Sequence, residues 1–364
     1  MTAERAVRAP LASAAGVALA ARREGLRGRL LLLLAGGVAA LASALVAGIA
    51  LGSVPIPAAD VVAVLLHRLG LPIPVTWPAA SETIVLELRL PRVVTAMAVG
   101  VALSLAGATF QGLLRNPLAD PYVLGTASGA ALGAAVALVV PVPFALLGLG
   151  LTQAMAFTGA IASVAVVYRV ARVGVLSSMT SLLLTGYAVG SLLAAGLALT
   201  MYLSGNTLRQ IFFYLLGSFS LASWQQLALS LPVIAVASSL IMLRGRALNG
   251  LLLGEEAAGH LGLDVRRERL LLLGLATLLT AAAVAVSGLI GFVGLVVPHV
   301  VRLVVGPDAR RLLPLSALVG ASFLALADLV ARVPGEVPVG IITAVVGAPF
   351  FIFLLRRYRA GYEL

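Results

Sequence analysis

The chain has 364 residues, 61% of them hydrophobic and only 11% charged, against about 25% charged in soluble domains. This is a multi-span membrane composition, and its continuous, non-alternating apolar runs exclude a β-barrel. The net charge of +11 comes with 25 arginines and no lysine or cysteine, so a GxxxxGK[ST] phosphate loop and thiol chemistry are both excluded.

Residues 1–29 read as an Arg- and Ala-rich cytoplasmic tail. Its composition is transit-like, but the following apolar run of 22 residues is too long for a signal-peptide core and makes a first span. Ten windows are long enough for a hydrocarbon core of ~30 Å, at 30–51, 93–114, 122–140, 144–168, 180–202, 224–243, 270–286, 289–305, 312–331 and 338–355. The expected fold is therefore an all-α polytopic membrane protein of about ten helices, with the eighth broken by Gly288, Gly291, Gly294 and Pro298.

The connection from Gly52 to Arg92 carries six prolines, so it cannot be one helix, although Ala58 to Leu69 suits a short surface helix. The glycine spacings Gly125, Gly129, Gly133 and Gly186, Gly190 permit close helix contact and read as bundle packing. Residues 206–218, NTLRQIFFYLLGS, are apolar but too short to cross, which predicts a half-helix folding back at the outer face. The insert LNGLLLGEEAAGHLGLD (248–264), followed by VRRER, uses about five helical turns where a turn would do. It reads as a docking surface. A weak echo, GATF at 107–110 and GASF at 320–323, would suit inverted repeats.

With a cytoplasmic N-terminus the inner side holds 20 of the 25 arginines, leaving Arg68, Arg89, Arg92, Arg209 and Arg332 outside. This positive-inside pattern explains the basic charge without nucleic acid and puts both termini and the insert in the cytoplasm. No catalytic constellation appears, and His67, His260 and His299 lack metal-ligand spacing. Glu255 and Glu256, about 100° apart on a helix, should be solvated. Asp328 is the one acid inside a span: either a proton relay or a structural pair with Arg332 one turn on. In the second case Asp328→Asn keeps a hydrogen bond and partial activity. Arg89, Arg92 and Arg332 fit headgroup anchoring and carboxylate recognition equally well.

LRLPR (88–92), GATFQGLLRNPLADPYVLG (107–125), LGEEAAGHLGL (253–263), GFVGLVVPHVVRL (291–303), GASFLALADLVAR (320–332) and PVGIITAVVGAPFFIFLL (338–355) together resemble the FecCD family. These are permeases of ABC importers for iron-siderophores, haem and cobalamin, and the resemblance spans roughly 30–358, in order. It implies a type II ABC importer permease fold with a second permease copy, two cytoplasmic ATPase subunits and an extracytoplasmic substrate-binding protein. The chain is then a transport subunit of the bacterial inner membrane and no enzyme. It would bind no cofactor itself, with ATP and Mg held by the ATPases.

On this resemblance Leu253, Gly254, Glu255, Glu256, Ala257, Gly259, Leu261 and Gly262 lie on paired coupling helices. Arg89, Arg92 and Arg332 match residues that receive glutamates of the binding protein in cobalamin-transporting members. Asn116 and Leu118 match a cytoplasmic gate, with Ser178 and Thr180 near a second gate segment. Ferric siderophore is the expected cargo, with cobalamin or haem as alternatives; an ion-coupled secondary transporter using Asp328 is the competing class.

Overall fold

A helix that is apolar on every face is stable only where neighbours surround it. Such a helix, Leu90–Leu113, is the axis of this computed structural model, which describes residues 28–52, 54–140, 142, 145–146, 149–171, 179–333 and 335–360. Residues 1–27, most of the predicted N-terminal tail, and residues 361–364 lie outside the described residues. In chain order the helices are α1 (Gly28–Ala50), α2 (Ala58–Arg68), α3 (Ala79–Thr83), α4 (Leu90–Leu113), α5 (Thr126–Val139), α6 (Leu151–Ala171), α7 (Met179–Leu203) and α8 (Leu208–Leu216). There follow α9 (Trp224–Leu243), α10 (Gly245–Leu252), α11 (Glu255–His260), α12 (Val265–Ser287), α13 (Val293–Val305), α14 (Ala309–Arg332) and α15 (Val339–Ala360). A π-helical turn, Ile84–Arg89, leads into α4, and Ala145–Leu146 pairs antiparallel with Leu149–Gly150.

Among the described residues seven helices are long and apolar enough to cross a membrane, and α5, α13 and the apolar part of α15 are shorter. Together they occupy the ten windows expected. At 1.5 Å per residue, α5 and α13 span roughly 20 Å, short of the ~30 Å core. Irregular backbone in the segments 114–125 and 288–292 precedes them. Such backbone is tolerated at membrane depth only when protein satisfies it. Here Tyr122 Oη donates to Ile290 O at 3.1 Å and lies 3.3 Å from Ile290 N, joining the two segments.

The break expected in the eighth span is displaced. Gly288 and Phe292, both at positive φ, shape a bend before α13, whereas Gly294 and Pro298 lie inside a continuous helix. Pro298 has no N–H for the carbonyl of Gly294 four residues earlier. Gln111 Nε2 of α4 supplies donors instead, at 3.4 Å from Gly294 O and 3.2 Å from Leu295 O.

Glycine sets how closely α4 meets its neighbours. A Cβ on Gly107 would overlap the carbonyl of Gly294 in α13, and one on Gly100 the carbonyl of Gly320 in α14. Gly129 and Gly133 of α5 likewise face backbone carbonyls of Gly159 and Met155 in α6, so this spacing packs helices within the chain. The predicted half-helix is α8, entered through a 3-10 turn at Gly205–Thr207. It is tied to α12 by Tyr214 Oη to Val284 O at 2.8 Å and Ser218 N to Ser287 O at 2.8 Å.

These contacts give a measurable expectation. Gly107→Ala should cost about 1–3 kcal/mol by overpacking, read as a lower melting temperature of the detergent-purified protein. Gly274→Ala, with nothing within 4 Å of its Cβ, is the matched control and should melt no lower than the parent.

Candidate functional site

Two surfaces at opposite ends of α4, and a loop between α4 and α5, hold the residues singled out above. At the C-terminal end of α4 the insert folds as two short helices, not one. Gly254, at φ +117° and ψ 155°, makes the corner between α10 and α11, a conformation open essentially to glycine alone. Ala247, Leu248 and Leu251 bury one face of α10, with Leu248 packed on the bare Cα of Gly112 in α4.

Polar anchors then fix the pair. Asn249 Nδ2 donates to Asp308 Oδ1 at 2.7 Å, and Asn249 Oδ1 accepts from Ala309 N at 2.8 Å. This joins α10 to the N-terminus of α14, which Asp308 caps. Arg115, at φ 48°, donates from Nε to Leu251 O at 3.1 Å. Glu255 is exposed, as expected, and is in addition ion-paired with Arg269 of α12. Glu256 is exposed.

What remains open is one continuous face. Leu253 is 68% exposed, and Glu256, Gly259, Leu261 and Gly262 are exposed beside it, while Gly254 and Ala257 are half-buried. Two exposed leucines on a platform braced from α4, α12 and α14 make a rigid surface with apolar knobs. Neither Asn249 nor Arg115 was identifiable from the insert alone, because their partners lie 59 and 136 residues away.

Between α4 and α5, Asn116 is exposed and its Oδ1 accepts from Leu118 N at 2.9 Å, a local turn that Asn favours. Leu118 is half-buried. In the same loop, Asp120 Oδ1 accepts from Tyr122 N at 2.8 Å. Ser178 lies outside the described residues; Thr180 is in the first turn of α7. Of the four gate residues, Asn116 and Leu118 share one turn.

At the other end of α4 the three arginines converge. With Glu336 they line one cavity of about 360 Å³ that also reaches Gly52, Leu88 and Phe219. Arg89 is 8% exposed and donates to the carbonyls of Ile49, Ala50 and Val54, satisfying the C-terminal end of α1. Asp328, 1% exposed, is bound by Arg92 through Nε at 3.1 Å and Nη2 at 3.0 Å. Arg332 Nε lies 3.1 Å from the same carboxylate, and Arg332 Nη2 donates to Gly48 O at 2.7 Å. Asp328 thus has the partner predicted one turn away and a second, bidentate one. Arg92 Nη1 reaches Glu336 Oε1 at 3.2 Å. Glu336 was not foreseen; an acid directly after a span ending in arginine was the available signal.

Beside the half-helix a larger, apolar cavity of about 800 Å³ is lined by Tyr122, Leu215, Leu216, Leu289, Ile341 and Val345, among others. Among the described residues no group of three His, Asp or Glu side chains could hold a metal ion.

A model of the FecCD transport family matches residues 11–357. The chain is 46% identical over 280 residues to the cobalamin import system permease of Halobacterium salinarum, covering 77% of this chain and 75% of that protein. It is 44% identical over 281 residues to the hemin transport system permease of Yersinia pestis, covering 75% and 83%. A solved inward-facing metal-chelate type ABC transporter superposes with a TM-score of 0.77 at 32% identity, over 89% of this chain and 98% of that one.

Proposed function

Because the chain belongs to the FecCD transport family, we propose that it is the membrane permease of an ATP-driven importer of metal chelates. The observation that carries this reading is the platform of α10 and α11: a stiff, exposed helix pair braced against three spanning helices. ATP-driven closure of a partner can be transmitted as rigid-body motion only through such an element. The chain has no lysine, hence no phosphate loop of its own, so ATP and Mg would be held by two partner ATPase subunits seated on Leu253, Gly259 and Leu261.

The remaining assignments follow the same frame. The arginine excess beside the platform supports a cytoplasmic position for it and for both termini, in an inner-membrane protein. The arginine end then faces outward, where Arg89, Arg92 and Arg332 would receive acidic groups of a binding protein. The apolar cavity beside α8 would be one wall of the pathway, completed by a second copy of this chain. Asn116 and Leu118 would close it at the cytoplasmic side, with Ser178 and Thr180. A wall of aliphatic and small residues holds a bulky chelate weakly, which passage requires. The relatives named above carry cobalamin and haem, so a metal-centred macrocycle stands beside ferric siderophore as cargo.

Reconstituted vesicles containing permease, ATPase and binding protein test this directly. Labelled ferric siderophore, haem and cobalamin should be compared, and at least one should enter only when ATP is present on the platform side. Uptake driven by a proton gradient without ATP would overturn the assignment.

A further inference from the structure

Arg92 uses its guanidinium on two carboxylates of opposite character. Its Nε and Nη2 edge is spent on buried Asp328, leaving Nη1 as the hydrogen-bonding edge on the cavity side. Nη1 donates to Glu336, which is 58% exposed and makes this one ion pair among the described residues. Glu336 also sits at φ +58°, a left-handed conformation that side-chain-bearing residues seldom adopt. Three hydrogen bonds close the end of α14, Val337 N to Ala331 O at 2.9 Å, Gly335 N to Arg332 O at 3.4 Å and Glu336 N to Arg332 O at 3.5 Å, and Glu336 lines the cavity.

Charge points the same way. Arg92 and Arg332 bind Asp328 and Glu336, while among the described residues Arg89 beside them hydrogen-bonds only neutral carbonyls. The cavity therefore keeps an unneutralised positive charge with Glu336 in place and gains another when it leaves. An exposed, singly bonded ion pair is weak and readily exchanged, unlike the buried bidentate pair behind it.

We infer that Glu336 is a stand-in carboxylate: it occupies, on Nη1 of Arg92, the seat that an acidic side chain of the binding protein takes on docking. The inference rests on the docking role proposed above for the arginine end. Docking then exchanges one carboxylate for another on the same N–H. The hydrogen-bond count of Arg92 is unchanged, which keeps association reversible for a partner that must leave after each delivery.

The test uses the permease–ATPase complex in nanodiscs over immobilised binding protein encoded with this permease, at low salt. Glu336→Gln removes the competing charge at an exposed position and should tighten binding about two- to fivefold, the range of a surface ion pair. The gain should shrink at high salt, where exposed charges are screened. Leu88→Glu, an exposed position on the same cavity, is the companion variant and should slow association by repelling the acidic partner. Binding indifferent to Leu88→Glu sinks the docking role itself. Binding slowed by Leu88→Glu but unchanged or weakened by Glu336→Gln overturns the stand-in alone.

Discussion

Asp328→Asn should destabilise the protein by about 3–5 kcal/mol, because removing one member of a buried ion cluster leaves the others uncompensated. A partner one turn away would make this change tolerable, since Asn could keep a hydrogen bond to Arg332. Arg92, 236 residues away in sequence, changes the outcome. Without the carboxylate two largely buried guanidinium groups face each other with no anion between them. The variant should give less folded protein and a markedly lower melting temperature. Adding Arg332→Gln should recover part of the loss, a non-additivity expected of residues sharing one network. A variant that melts like the parent but loses gradient-driven uptake would instead make Asp328 a proton relay.

Gly259→Trp should abolish ATP-dependent uptake while leaving the permease folded. A Cβ at Gly259 meets nothing within 4 Å, so an indole there projects from the platform without disturbing the bundle. It would stand where the ATPase is proposed to sit. Glu255→Arg should have the same functional outcome by another route. Arg269 would then face a like charge, and α11 would lose its tie to α12. Pull-down of the ATPase separates the two, with Gly259→Trp losing the partner outright. Normal uptake by both variants, with the ATPase attached, would remove the platform from the mechanism.

The spans were readable from sequence because burial in lipid demands long apolar runs, and each of the ten windows contains a helix. Their ends were less so. The third window begins at 122, but α5 starts at Thr126, since Gly125 at φ +79° lies immediately before it. The eighth window looked broken because the rescue of Pro298 comes from Gln111 on another helix. The platform was legible as a polar insert too long for its task, and its exposed residues are largely those named. Its anchors were invisible, because Asn249 and Asp308, or Glu255 and Arg269, meet only once α14 and α12 are in place. The arginines were legible as a group. Their division of labour, Arg89 on carbonyls and Arg92 between two carboxylates, depends on side-chain geometry that spacing does not encode.

The contact between Gly107 and Gly294 restricts how α4 can move. Shear along its axis by one turn would bring Leu103 or Gln111 to the place where even a methyl group does not fit. Tilting about that point keeps the bare Cα against α13, provided that α14, held as closely at Gly100 and Gly320, tilts with α4. Gly107 is six residues from Leu113, the last of α4, and fifteen from Arg92, or roughly 9 Å and 22 Å of helix. A fulcrum so placed gives the arginine end the longer arm. Small displacements at the platform would emerge more than doubled at the opposite face.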